Sequence, residues 1–203
     1  MIISPKYKFI FIKTQKTAGS SIEKILLDKI ADDENLIFGG MPPENMNPIN
    51  LDEVAEHRGR VFISRRFPDA WKDYYRFTVE RNSWDKVVSY YHWVKKRNPK
   101  RTAKGFDTFV MDGKKTPYLK DWEEYTYKDK PVVDFTIQYH NLNDDFAKVM
   151  NTLNLPYNNE LLTTKLKGDL RTERDYKVYY NDMTKNRVSE LYRKVIEEFN
   201  YVF

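Results

Sequence analysis

Three observations predict an α/β fold with a central, mostly parallel sheet flanked by helices. Apolar strand-type runs alternate with segments of helical period along the chain. The first run, Lys8 to Lys13, is continuously apolar between its two lysines, as a parallel strand covered on both faces requires. A loop of small and polar residues joins it to an amphipathic helix. At 203 residues the chain is of single-domain size, and residues 1–203 are expected to form one domain.

After the 8–13 strand comes the loop TQKTAGS, and then Ile22, Ile25, Leu26 and Ile30 repeat at helical spacing. Ser20 and Glu23 have the spacing of a capping box and are expected to start that helix. Residues 39–50, rich in Gly, Pro and Asn, read as loop, and 51–66 as helical or mixed. Tyr75 to Glu80 alternates and is rich in β-formers, so it is the second strand. Asn82 or Ser83 caps a helix over 84–96, carried by Val87, Val88, Tyr91 and Val94. Residues 105–131 are aromatic, charged and irregular, a lid or acceptor wall on one reading and a satellite core on the other. A third strand is expected at 132–139 and a helix at 144–153. The closing helix, 185–199, shows Val188, Leu191, Tyr192, Val195, Ile196 and Phe199 on one side.

Composition narrows the chemistry. The absence of cysteine excludes disulfides, thiolate metal sites and a cysteine nucleophile, and fits a reducing compartment. No His, Asp or Glu grouping has metal-ligand spacing, so no metal is expected. The longest apolar stretch, Phe9 to Ile12, is far below the roughly 20 residues of a membrane helix, and no secretory leader is visible. A soluble, cytoplasmic protein is the expectation. The net charge of +5 favours an anionic partner without naming one.

Two segments give that charge a chemical address. The loop after the first strand carries Lys13, Lys16, Thr17, Ser20 and Ser21 at the start of a helix, where backbone N–H groups and the helix dipole favour an anion. The nucleoside-triphosphatase pattern GxxxxGK[ST] is absent. Residues 81–93, RNSWDKVVSYYHW, place Arg81 just past a strand and Ser89 two turns into the next helix. There a guanidinium and a hydroxyl can converge on one phosphate.

Together these segments resemble the sulfotransferase superfamily, and the tail VVDFTIQYHNLNDDFAKV resembles its carbohydrate-type members (sulfotransferase family 2-like). KTQKTAGSS (13–21) is similar to the family's 5′-phosphosulfate loop, and RNSWDKVVSYYHW to its 3′-phosphate-binding strand and helix. The resemblance implies a three-layer, P-loop-like fold. It also implies transfer of a sulfuryl group from 3′-phosphoadenosine 5′-phosphosulfate (PAPS) to a hydroxyl or amine acceptor, with adenosine 3′,5′-diphosphate (PAP) as product and no metal. Lys16 would touch the bridging and sulfate oxygens. Thr17, Ala18, Gly19, Ser20 and Ser21 would wrap the 5′-phosphate, and Arg81 and Ser89 would hold the 3′-phosphate. Gln15 stands where relatives carry Pro, Lys13 where many carry His, and Ser83 where Pro follows Asn. Glu80 occupies a usually apolar place.

The acceptor proton needs a base, for which histidine suits neutral pH. Of His57, His92 and His140, His57 lies between the two motifs, 20 residues before Phe77, where carbohydrate-type relatives carry their catalytic His or Glu. Glu53 and Glu56 are the fallback bases. His92 reads as structural. The basic run 95–104 is either a solvated helix end or the approach of an anionic carbohydrate acceptor, a partner the family commonly modifies. Lys167, Gly168, Arg171 and Arg174 fall where relatives bring basic residues to the 3′ side. The competing readings are a phosphotransferase using ATP and a non-catalytic nucleotide- or nucleic-acid-binding domain. The modest net charge and plentiful acids disfavour nucleic acid as a partner.

Overall fold

The computed structural model describes residues 1–40, 49–50, 58–112, 119, 121–159 and 173–203. The chain forms two compact units, Met1–Glu80 with Lys120–Leu166, and Arg81–Leu119 with Lys167–Phe203.

The first unit is built on a six-stranded sheet with helices packed on it. Its strands are β1 (Ile2–Ser4), β2 (Phe9–Ile12), β3 (Ile37–Phe38), β4 (Ile49–Asn50), β5 (Tyr75–Glu80) and β8 (Phe135–Gln138), in the order β4-β3-β1-β2-β5-β8. A two-residue hairpin, β6 (Thr126–Tyr127) with β7 (Lys130–Pro131), stands apart. Strands β2, β5 and β8 run parallel, whereas β1 is antiparallel to both β2 and β3, so the sheet is mixed at one side. The antiparallel β1 is not foreseen by the sequence reading, because three residues give too little alternation to register.

Register puts Phe11 opposite Phe77, and Phe77 opposite Phe135, in a cross-strand row. The rings of Phe11 and Phe77 stack at 5.1 Å. That face is closed by α1 (Gly19–Lys29) through Ile22, Ile25 and Leu26, and by α7 (Leu142–Thr152) through Phe146, Val149 and Met150. Full burial of each such side chain contributes about 1.5–3 kcal/mol, which makes this cluster the stabilising centre of the unit. Ile3, Ile10 and Ile12 on the opposite face are also fully buried, as the unbroken apolar run of β2 demands. The short helices α2 (Arg60–Arg66), α3 (Pro68–Asp73) and α6 (Asp121–Tyr125) complete the unit.

The second unit is helical. Its members are α4 (Ser83–Arg97), α5 (Gly105–Met111), α8 (Asp182–Leu191) and α9 (Arg193–Phe199), with 3₁₀ turns at Pro99–Thr102 and Tyr176–Tyr179. Tyr91 of α4 meets the rings of Phe106 and Phe109 of α5, each at 5.3 Å. Trp84 packs edge-on against Phe203 and donates its indole N–H to the Lys185 carbonyl.

Two expectations are corrected. The closing helix is two helices broken at Tyr192, whose buried hydroxyl accepts the Leu119 N–H at 2.9 Å. It begins earlier than its apolar pattern, because Asn181 and Thr184 form a reciprocal capping box. The Ser20–Glu23 capping box does not form. The N-cap of α1 is Ala18, Ser20 lies inside the helix, and Glu23 pairs instead with Lys13. Among the described residues no helix is long and apolar enough to cross a membrane.

Candidate functional site

The parallel strands β2 and β5 end side by side, and open α/β sheets place ligands outside such carboxyl ends. From β2 the chain enters residues 13–18. The Thr14 hydroxyl donates to the Val79 carbonyl of β5 at 2.5 Å, and Thr78 returns a bond to the Ile12 carbonyl, so the loop is braced on the neighbouring strand. Thr17 is fully buried, with its hydroxyl 3.1 Å from the Thr14 carbonyl and 2.9 Å from the Thr14 hydroxyl. It stiffens the loop from inside, so its side chain is not directed at a ligand.

Lys16 and Ala18 both sit in the left-handed region, at φ 61° and 62°. A left-handed residue with a Cβ costs roughly 1–2 kcal/mol, and a loop holding two of them is over-determined by its surroundings. Alternation of this kind turns successive backbone N–H groups to one side, forming an anion-binding concavity. Ala18 is the N-cap of α1 and supplies no side-chain cap, and the first turn of α1 holds no acid. By contrast α4, α7 and α8 all carry an acid in their first turn. Four helical N–H groups normally lack intrahelical partners, so this helix start is suited to an external anion.

The Lys13 ammonium lies 2.5 Å from a Glu23 carboxylate oxygen, both side chains buried. Its stem crosses Gly19, where a Cβ would approach the Lys13 Cγ to 2.8 Å. Gly19 is therefore a glycine for room. Lys13, among the loop's candidate cations, is committed to holding α1 against the loop.

The second motif opens the second unit. Asn82 caps α4, accepting from the Trp84 and Asp85 N–H groups. Arg81, nearly buried, donates Nε–H to Asp85 Oδ2 at 2.6 Å. Asp85 and Ser89 are four residues apart in α4, hence on one face, with Ser89 half-buried. The carboxylate holds the guanidinium at the start of α4. Glu80, with no exposed surface at the end of β5, accepts the Tyr125 hydroxyl at 2.7 Å.

His57, Glu53 and Glu56 lie outside the described residues, as do Lys167, Gly168 and Arg171. His92 is packed edge-on between Tyr91 and Tyr179, in keeping with its structural reading. His140 is exposed on a 3₁₀ turn, and Arg174 is exposed. Four of the 106–127 aromatics are core. Phe106 and Phe109 are buried in the second unit, and Trp122 and Tyr125 in the first. Tyr127 is exposed, and Tyr118 lies outside the described residues. Of the basic run, Lys95, Lys96 and Arg97 form the last turn of α4, where cations complement the helix dipole.

Sequence reasoning missed Asp121, which is nearly fully buried and accepts the Gln15 N–H at 3.1 Å. A lone Asp in an irregular stretch carries no signal in the sequence. Glu124, three residues on, accepts the Gly59 N–H at 2.7 Å, and its carboxyl pKa is pushed up by burial, opposed by that N–H and by Arg58.

No family model matches the chain. The fold is similar to that of mouse sulfotransferase SULT7A1, solved in complex with PAP. The TM-score is 0.54 at 14% identity, over 95% of this chain and 86% of that one. An uncharacterized protein of Archaeoglobus fulgidus is 37% identical over 89 residues, which cover 41% of this chain and 70% of the archaeal one. The chain belongs to one family with that archaeal protein.

Proposed function

We propose that the chain is a PAPS-dependent sulfotransferase of carbohydrate type. It transfers a sulfuryl group to a hydroxyl or amine acceptor by in-line displacement and leaves PAP. The observation that carries this reading is the loop 13–18. Two left-handed residues, one of them Lys16, precede a helix start with neither side-chain cap nor acid. Such a loop suits a phosphosulfate, and the likeness in fold to a sulfotransferase solved with PAP supports the choice.

In this reading Lys16 neutralises the charge that grows on the 5′-phosphate as the S–O bond breaks. The backbone of Thr17, Ala18 and Gly19, with Ser20 and Ser21, binds the 5′-phosphate, while Arg81, oriented by Asp85, and Ser89 bind the 3′-phosphate. His57 accepts the acceptor's proton as the new S–O bond (to a hydroxyl) or S–N bond (to an amine) forms. An anionic carbohydrate is the first acceptor class to screen, with the exposed basic end of α4 as its approach.

Thermal unfolding with PAP, ATP–Mg²⁺ and DNA in parallel tests the reading. A ligand at 100 times its Kd stabilises by about 2.7 kcal/mol if it binds only the folded chain. A shift with PAP alone is the expected outcome, and a shift with ATP–Mg²⁺ but none with PAP sinks the proposal.

A further inference from the structure

Three side-chain bonds leave one turn of helix, α6, and two of them land on the residue just before one assigned above. Asp121 accepts from the backbone of Gln15, the residue before Lys16. Tyr125, fully buried, donates to Glu80, the residue before Arg81. Glu124 accepts from the backbone of Gly59, two residues after His57 in the sequence. Positions 121, 124 and 125 share a helix face, and every atom in these three bonds belongs to the first unit.

The approach to Gly59 is close. A Cβ there would come 2.0 Å from the Glu124 carbonyl oxygen, so only glycine lets the two backbones touch. The seam continues where Arg60 donates Nε–H to the Thr126 carbonyl at 2.7 Å and lays its guanidinium 5.0 Å from the Tyr127 ring centroid. A five-residue helix has no stability of its own, so α6 holds its place through these anchors. By the same bonds it fixes the segments they reach.

We infer that α6 is the positioning element of the sulfuryl-transfer site. Asp121 sets the loop ahead of Lys16, Tyr125 with Glu80 sets the chain entering Arg81, and Glu124 sets the chain at Gly59. What is positioned rests on the sulfotransferase reading, whereas the anchoring does not.

Amide hydrogen exchange and PAP calorimetry on the full chain test this. Asp121→Ala should speed exchange at residues 13–18 and weaken PAP binding, each by about tenfold, the scale of one charge-assisted hydrogen bond. Asp121→Asn keeps an acceptor oxygen and should recover most of both. Glu124→Ala should speed exchange at 58–63 and leave 13–18 protected. If Asp121→Ala fails to fold, Asp121→Ser carries the same comparison. Unchanged exchange at 13–18 in Asp121→Ala overturns the inference. So does an equal loss of PAP affinity in Asp121→Ala, Asp121→Asn and Glu124→Ala, which is general destabilisation. A wild type that binds no PAP removes the sulfotransferase reading, and the exchange pattern alone then decides the anchoring.

Discussion

The Lys13 ammonium and the Glu23 carboxylate meet at 2.5 Å across the start of α1, with both groups withdrawn from water. Breaking one side of such a pair leaves an uncompensated buried charge, at a cost of about 3–5 kcal/mol. Lys13→Met and Glu23→Leu should each lower the urea midpoint, Glu23→Leu the more because the buried Met1 ammonium, 3.8 Å from Glu23 Oε1, loses that carboxylate as well, and the double variant should recover only part of the loss. Singles within about 1 kcal/mol of the wild type would show the pair to be solvated in solution.

Ala18 holds φ 62° at the N-cap of α1. Glycine adopts that conformation freely and is a good N-cap, so Ala18→Gly should stabilise the fold by about 0.5–1 kcal/mol after its greater unfolded-state entropy is subtracted. A lower melting temperature would mean that the left-handed geometry carries no strain.

Ser83 is the first residue of α4, fully buried, and its hydroxyl has no hydrogen-bond partner among the described residues. Asn82 before it has ψ 124°, which a following proline accepts. Ser83→Pro is expected to raise stability by about 0.5–1 kcal/mol, since proline suits the first helical position. Chemical denaturation that shows a loss of 1 kcal/mol or more would indicate a hidden role for the Ser83 N–H.

Burial raises the Glu124 carboxyl above its ordinary 4.5, against the pull of the Gly59 N–H and Arg58. The folded chain therefore holds this proton more tightly than the unfolded one. The resulting stabilisation is complete below about pH 4.5 and is lost as pH rises through the raised value. Glu124→Gln keeps the acceptor for Gly59 and cannot ionise. It should melt higher than the wild type at neutral pH and equally at pH 4. A variant less stable at pH 7 would show that the carboxylate charge itself is needed.

Much of the framework is legible in the sequence because periodicity reports burial. The continuous run of β2, the alternation of β5 and the stripe of α7 each name their own environment. β1 escapes, being only three residues long, and its place between β3 and β2 is set by those neighbours. The break at Tyr192 escapes too, because Val188, Tyr192 and Val195 keep helical spacing across it. At the site, Lys16, Arg81 and Ser89 are legible as chemistry in a motif. Glu23 read as a local cap because sequence spacing cannot see the Lys13 stem crossing Gly19 to reach it. Asp121 is invisible for a related reason, since it acts on a backbone N–H more than a hundred residues away.

The central claim is that one nucleotide is held by its two phosphates, the 5′ end by the Lys16 loop and the 3′ end by Arg81. Titration calorimetry of PAP and of adenosine 5′-phosphate, which lacks the 3′-phosphate, tests it directly in the wild type and in Arg81→Ala. The account predicts that the wild type prefers PAP by at least about tenfold, the scale of one charge-assisted contact. It also predicts that Arg81→Ala abolishes the preference and that Lys16→Ala weakens both ligands. An Arg81→Ala variant that keeps the full preference for PAP, or a wild type that binds neither nucleotide, would contradict it.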